Sequence, residues 1–311
     1  METILYTTLQ QGFVYGLLAI GIYISFRILN IPDLTAEGSF AFGLAVSAML
    51  TVAGHPFLGL LVSVLAGFAA GVVTGLLQTR LKIHPILAGI ITMSGLYSVN
   101  LLVMNNAANV SLLKYDTTLS VLRALLPNVD KEILKILLPL FFVIVFIALL
   151  VIFFKTHFGL CIRATGDNAD MLRASSVNVD VTKTVALGIG NACIGFSGGL
   201  LAQIQGYADI SSSTGMLVVG LASVIIGETI FGKRSVLIGL ISSVVGSLIY
   251  RLIIAVVTKY GILPAYMFKL VSAVIVAVAL AIPTIKETVR RGRLKQKSRN
   301  KKIPTGGEQD A

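Results

Sequence analysis

Apolar runs of 18 residues or more recur along almost the whole chain, and each is long enough to cross a hydrocarbon layer about 30 Å thick at 1.5 Å rise per residue. Inside lipid every backbone N–H and C=O must find a partner within the protein, so runs of this length are read as α-helices. Only 13% of the 311 residues are charged and the mean hydropathy is +0.90. That balance excludes a water-soluble globule. The predicted fold is all-α, a polytopic integral membrane protein.

Nine spans are predicted, with eight to ten as the range: Leu5 to Phe26, Thr35 to Val52, Phe57 to Leu77, Ile86 to Met104, Ile133 to Phe154, Thr184 to Ile204, Met216 to Ile230, Leu237 to Val257 and Ala265 to Pro283. A short, Gly-interrupted segment that re-enters rather than crosses would shift the count by one. The first run lacks a basic leader, since Glu2 is the only charge before Arg27, and is read as a retained helix. The chain is expected to form one membrane domain over residues 1–285, with a cytoplasmic loop at 155–183 and a disordered basic tail at 286–311.

Cytoplasmic loops retain Lys and Arg. With a cytoplasmic C-terminus the inner side holds 18 of the 25 basic residues, and the outer side holds only Lys114, Arg123, Lys131, Lys135 and Lys259. The predicted topology is therefore an outside N-terminus and an inside C-terminus. About half of the +11 net charge comes from the tail, which points to an anionic lipid surface rather than nucleic acid. The longest outer segment, Asn105 to Glu132, is too short for an enzyme core and is predicted to be a cap with an interfacial helix through Leu119 to Leu126.

The spans differ in kind. Ile136 to Phe154 is bulky, as a lipid-facing helix would be, whereas Ala186 to Gln205 is rich in small and polar residues and is expected to line something. Gly67, Gly71 and Gly75 in the third span read as a close-packing face. Asp33 and Glu37 lie one turn apart after Pro32, with the hydroxyls of Thr35 and Ser39 between and beside them. Charged groups inside a membrane are costly, so these need a reason. Two remain open: a broken-helix site for solute passage, or capping groups that orient the helix at the inner interface. Asn191, Gln203 and Gln205 are candidates for the path, since neutral amides can touch a zwitterion without trapping it. Glu228 and Arg251 are expected at different depths and unpaired with each other, with Arg251 reaching for the outer interface. Asp33-Leu34-Thr35 before Gly38 is echoed by Asp209-Ile210-Ser211 before Gly215, on opposite sides, as an inverted repeat would place them.

No catalytic or metal constellation is apparent. His55, His84 and His157 fall near different span ends, and Cys161 and Cys193 have no metal-type spacing. Gly227 to Arg234 imitates a phosphate-binding loop, but Arg234 stands where a Ser or Thr must hold magnesium. No cofactor is expected.

The inner loop 155–183 carries a predicted short helix from Asn168 to Ser175, capped by Asp167 or Asn168, with Met171 and Leu172 on one face. A helix so short needs a surface to dock on, and either a cytosolic partner or the membrane would serve. Around it, Gly159, Arg163, Ala164 and Gly166, the Val177-Asn178-Val179 exit, and the span with Gly195, Gly198 and Gly199 resemble the permeases of the branched-chain amino acid and ribose importers. Residues 30–40 and His84 to Asn100 are similar to the branch associated with tryptophan and tyrosine. This resemblance covers the chain up to about Ile285. It implies an ATP-binding-cassette importer built from a permease pair (a second copy of this chain), a cytosolic ATPase dimer and an extracytoplasmic solute-binding protein. It further implies that the loop helix, with Gly166, Asp167, Asn168, Met171, Leu172 and Arg173, couples to the ATPase. The rival readings are an ion-coupled secondary transporter or channel acting alone, and a membrane-embedded enzyme. Co-purification of a soluble ATPase separates them.

Overall fold

Two long helices begin on a proline that follows a histidine: α3 (Pro56–Thr79) after His55 and α4 (Pro85–Val103) after His84. Proline fits the first helical position because its φ is already helical and the missing N–H would have had no partner there. His84 is thus a helix-start residue. In the computed structural model, which describes residues 2–259 apart from 126, 128, 233 and 234 and beyond them only positions 270, 273, 274, 277 and 281, these two belong to a bundle of eight apolar helices long enough to span a membrane. The ninth predicted span lies almost wholly outside the described residues, and the basic tail lies wholly outside them.

In chain order, α1 (Glu2–Tyr23) runs into a π-helical turn, Ile24–Ile28. Then come α2 (Thr35–Val52), α3 and α4. A short strand β1 (Asn109–Ser111) leads to α5 (Thr118–Leu125), a helix over the residues where one was expected. Next are α6 (Lys131–Lys155), α7 (His157–Asp167), α8 (Ala169–Ala174) and α9 (Val179–Gln205). Strand β2 (Tyr207–Asp209) pairs antiparallel with β1, Val110 opposite Ala208. A 3-10 turn, Ile210–Ser213, precedes α10 (Met216–Phe231), and α11 (Val236–Lys259) follows.

The small-residue span packs at the centre of the bundle. Helix α9 is the central post, buried from Ala186 to Ile204 apart from half-buried Ile189 and packed chiefly on α2 and α3. Small side chains make this possible by letting backbones touch: a Cβ added to Gly195 would lie 2.9 Å from the Cα of Gly67. The spaced glycines of α3 do pack as expected, Gly75 for instance against Thr184 of α9. At the periphery α6 exposes Leu137, Phe141, Ile144, Leu149 and Ile152, in keeping with a lipid-facing helix.

The loops collect at two ends. At one, Gly166 of α7 rests on the carbonyl of Ile28, and Arg27 pairs with Glu228 at the end of α10. At the other, the β1–β2 ribbon is tied in by Leu112 N–H to the Gly206 carbonyl at 2.8 Å and Ile210 N–H to the Ala108 carbonyl at 3.1 Å. These are the α8 end and the ribbon end below.

Candidate functional site in a broken-helix bundle

Pro32 carries no amide hydrogen and biases its predecessor away from helix, and Asn30 just before adopts a left-handed φ of 56°. Helix α1 therefore ends, and the chain climbs from the α8 end through residues 29–34 before α2 begins. Where α2 begins is set by its partners. Asp33 accepts from the Asn191 side-chain amide at 2.6 Å and from the Thr35 N–H at 2.9 Å. Asn191 stands near the midpoint of α9, about 18 Å from its start at 1.5 Å per residue. The first turn of α2 is accordingly held inside the bundle rather than at its rim. Thr35, Thr74 and Thr92 continue the contact as a chain of hydroxyls, 2.7 and 2.9 Å apart, across α2, α3 and α4. Ser39, one turn on, is fully buried, and among the described residues neither its hydroxyl nor the Asn191 side-chain oxygen has a hydrogen-bond partner.

Asp33 and Glu37 do not share a face. Asp33 precedes the helix and turns towards α9, whereas Glu37 accepts the N–H of Gly215 at 2.9 Å, the residue that starts α10. A carboxylate there complements the N-terminal end of the helix dipole. Both broken helices are introduced by the same turn: Asp209 accepts the Ser211 N–H at 2.9 Å just as Asp33 accepts that of Thr35. Glu37 borders a cavity of about 540 Å³ at the ribbon end, whose walls include Met93, Ser94, Tyr97 and Asn100 of α4 and Asp209, Ser211 and Thr214 before α10.

The other amides stand apart from this site. Gln203 is buried, its carbonyl accepting both the Thr118 N–H (3.0 Å) and the Thr118 hydroxyl, its amide donating to Ser47 Oγ (3.0 Å) and the Pro56 carbonyl (2.8 Å). It ties the cap to the tops of α2 and α3. Gln203→Leu is expected to leave several buried groups unpaired, at about 1–3 kcal/mol each, seen as a lower thermal midpoint and faster proteolysis between residues 105 and 130. Gln205 closes α9 beside Gly206 and borders none of the described cavities.

Loop 155–183 holds two helices rather than one. Thr156 caps α7 by accepting the Gly159 N–H, and Asn168 caps α8 by accepting from Asp170 and Met171. Met171 and Leu172 do not share a face: Met171 is 67% exposed and Leu172 only 9%. Asp167, Asn168 and Arg173 are exposed around Met171, and Arg173 meets Asp170 at 3.3 Å. Behind them Thr165 bonds Thr182 of α9 at 2.9 Å and Gly166 abuts the π turn. The exposed tip is thus mounted on both α9 and α1. Next to it a polar cavity of about 320 Å³ is bordered by Arg27, Arg163, Asp167 and Glu228. Glu228 pairs with Arg27, not Arg251; the latter stacks on the Tyr15 ring at 4.1 Å.

Sequence reading missed Asn100, Tyr97, Thr74 and Thr92. A polar residue within an apolar run was the available signal, but such residues are common enough in helix packing that position alone does not select them. Among the described residues no group of three His, Cys, Asp or Glu is placed to hold a metal ion.

Comparison with known proteins sets these features in a family context. Residues 4–280 match the family described as branched-chain amino acid transport system, permease component. The chain is 33% identical to a tyrosine transport system permease protein of Clostridioides difficile over 93% of its own length and 94% of that protein's. It is 32% identical to an uncharacterised protein of Rickettsia prowazekii over 89% and 97% of the two lengths. An autoinducer 2 import system permease protein of Yersinia enterocolitica is 24% identical over 68% of this chain and 56% of its own. No solved structure matches.

Proposed function

The chain belongs to the family of branched-chain amino acid transport system permease components, within the ATP-binding-cassette importers, and from that premise we propose that it carries an amino acid, aromatic by likeness to the tyrosine permease, through a path that meets the broken start of α2. The observation that carries the assignment of parts is α8: a six-residue helix, too short to stand alone, held rigidly from behind and presenting Met171 to the surrounding solution. In this reading Met171, with Asp167, Asn168 and Arg173 around it, docks on a cytosolic ATPase, while Gly166 and Leu172 fix the helix to the bundle. Two ATPase subunits, a second copy of this chain and an extracytoplasmic solute-binding protein complete the importer, and the basic tail lies against anionic lipid. Energy comes from the ATPase; this chain supplies the path and the docking helix. Asp33, Thr35, Ser39 and Asn191 form the buried hinge from which the path is built, and Glu37 faces the solute.

The reading puts the α8 end in the cytoplasm, which the basic residues at 27, 80, 82, 155 and 163 favour. Leu113→Cys, at the ribbon end, is expected to react with a membrane-impermeant thiol reagent in intact cells, and Ala174→Cys only after permeabilisation. The reverse pattern would invert the topology. The role itself is tested by purification from gentle detergent: an ATPase subunit is expected to co-purify with the chain, and transport by the purified chain alone would favour the secondary-transporter reading instead.

A further inference from the structure

Resting on the importer reading, we propose that the ribbon-end cavity is a solute site that recognises a primary ammonium group. Its volume, about 540 Å³, is within the range of small-molecule sites, about 300–1,000 Å³. Its polar lining is one-sided. Glu37 and Asp209 border it, and among the described residues no Lys, Arg or His does so. One oxygen of Glu37 accepts the Gly215 N–H, which fixes the carboxylate at the cavity floor, and the other accepts no hydrogen bond among the described residues. Asp209 accepts the Ser211 N–H and shares the Ser211 hydroxyl between its oxygens, so Glu37 is the less engaged of the two carboxylates.

Asn100 is the second, independent sign. It is 1% exposed, it borders this cavity, and neither its side-chain nitrogen nor its side-chain oxygen has a partner among the described residues. Buried polar groups without partners are rare and unfavourable, and a solute that supplies both a donor and an acceptor resolves this one. An amino acid does so: the ammonium group meets Glu37 and the Asn100 carbonyl, and the carboxylate meets the Asn100 amide nitrogen. Met93 and Tyr97 furnish an adaptable apolar wall and a ring face for the rest of the molecule. A net anion finds no counter-charge. The α8-end cavity differs in kind, because Arg27 and Arg163 border it together with Asp167 and Glu228.

The test places a thiol in the cavity. In a Cys161→Ser background, with Cys193 buried, Ser94→Cys in the assembled complex in membrane vesicles is labelled with 2-aminoethyl methanethiosulfonate or with 2-sulfonatoethyl methanethiosulfonate, each rate divided by that for a free small thiol. The cationic reagent is expected to react about tenfold faster or more, and Glu37→Gln, which keeps an acceptor for Gly215, is expected to bring the two rates close together. L-Tyrosinamide, with a free ammonium group, is expected to slow the labelling, N-acetyl-L-tyrosinamide to leave it unchanged, and Asn100→Leu to abolish the protection. Equal rates in the parent, a preference that survives Glu37→Gln, or equal protection by both amides would overturn the proposal. Labelling needs no ATP, so the two readings fail separately. A cationic preference without ATP-driven uptake would leave the site standing and remove the importer, and uptake without the preference would do the opposite.

Discussion

Asn191→Leu is expected to cost the folded protein about 2–4 kcal/mol, measured as loss of stability in detergent, and to abolish uptake as a consequence. The substitution is near in size, so the loss is not one of volume. The Asn191 amide donates to Asp33 at 2.6 Å and to the Leu187 carbonyl at 3.0 Å, and Asp33 is buried. Removing the donor leaves a buried carboxylate with, among the described residues, Thr35 alone to hold it, and an unpaired buried group costs the larger share of what a hydrogen bond to a charged group contributes. The start of α2 hangs on this contact, together with the Thr35–Thr74–Thr92 chain. Asp33→Asn is the informative companion, because it removes the buried charge and keeps one oxygen for the Thr35 N–H while an NH2 replaces the oxygen that faces Asn191, and it is expected to lose less stability than Asn191→Leu. Stability unchanged in Asn191→Leu would mean that α2 is held at its depth by apolar packing alone. From sequence, the same substitution is expected to spare assembly and block only transport; the geometry makes the two losses inseparable.

Met171→Glu is expected to leave thermal stability within about 0.5 kcal/mol of the parent, as for most exposed positions, yet to reduce solute-stimulated ATP hydrolysis by the assembled complex about thirtyfold or more. Exposed side chains at the centre of a docking face carry costs of about 2 kcal/mol or above on truncation, and a charge there adds desolvation. Leu172→Glu is expected to behave differently, since Leu172 is buried against the bundle: it should destabilise the α7–α8 segment and lower the yield of complex. Changing both residues together, as a shared face would suggest, confounds docking with folding. Normal coupling in Met171→Glu would move the ATPase contact elsewhere on this end of the protein.

Apolar length carried much of the architecture. The eight described spans begin and end within a few residues of their expected limits because apolar length and flanking polar residues mark most of them, the start of α2 excepted, which its partners fix. Helix α5 was legible for the same reason. Packing was not. Residues 186–205 look like a lining because Gly, Ala, Asn and Gln are what either a path or a backbone-to-backbone contact requires, and only the neighbours Gly67 and Gly43 decide for the second. Gln203 shows the same ambiguity, since its amide is engaged with Thr118, Ser47 and Pro56. Asp33 and Glu37 were singled out on cost alone, and the cost was real, but their spacing predicts a shared face only if the helix has already begun at Asp33, and α2 starts two residues later. The split of the coupling loop into α7 and α8 depends on Asn168, whose extended φ of −157° ends one helix while its side chain caps the next. Asn100 was illegible because its significance is its lack of a partner, a property that no sequence pattern records.

The central claim is that this chain moves its solute only when a partner ATPase hydrolyses ATP at the α8 end. Proteoliposomes holding the chain and its ATPase, with the solute-binding protein outside and ATP supplied to the ATPase face, measure this directly through accumulation of labelled tyrosine. Uptake is expected to require ATP and the ATPase, to be insensitive to collapse of proton and sodium gradients, and to vanish with Met171→Glu. Accumulation by the chain alone, driven by an imposed ion gradient and unaffected by ATP, would contradict it.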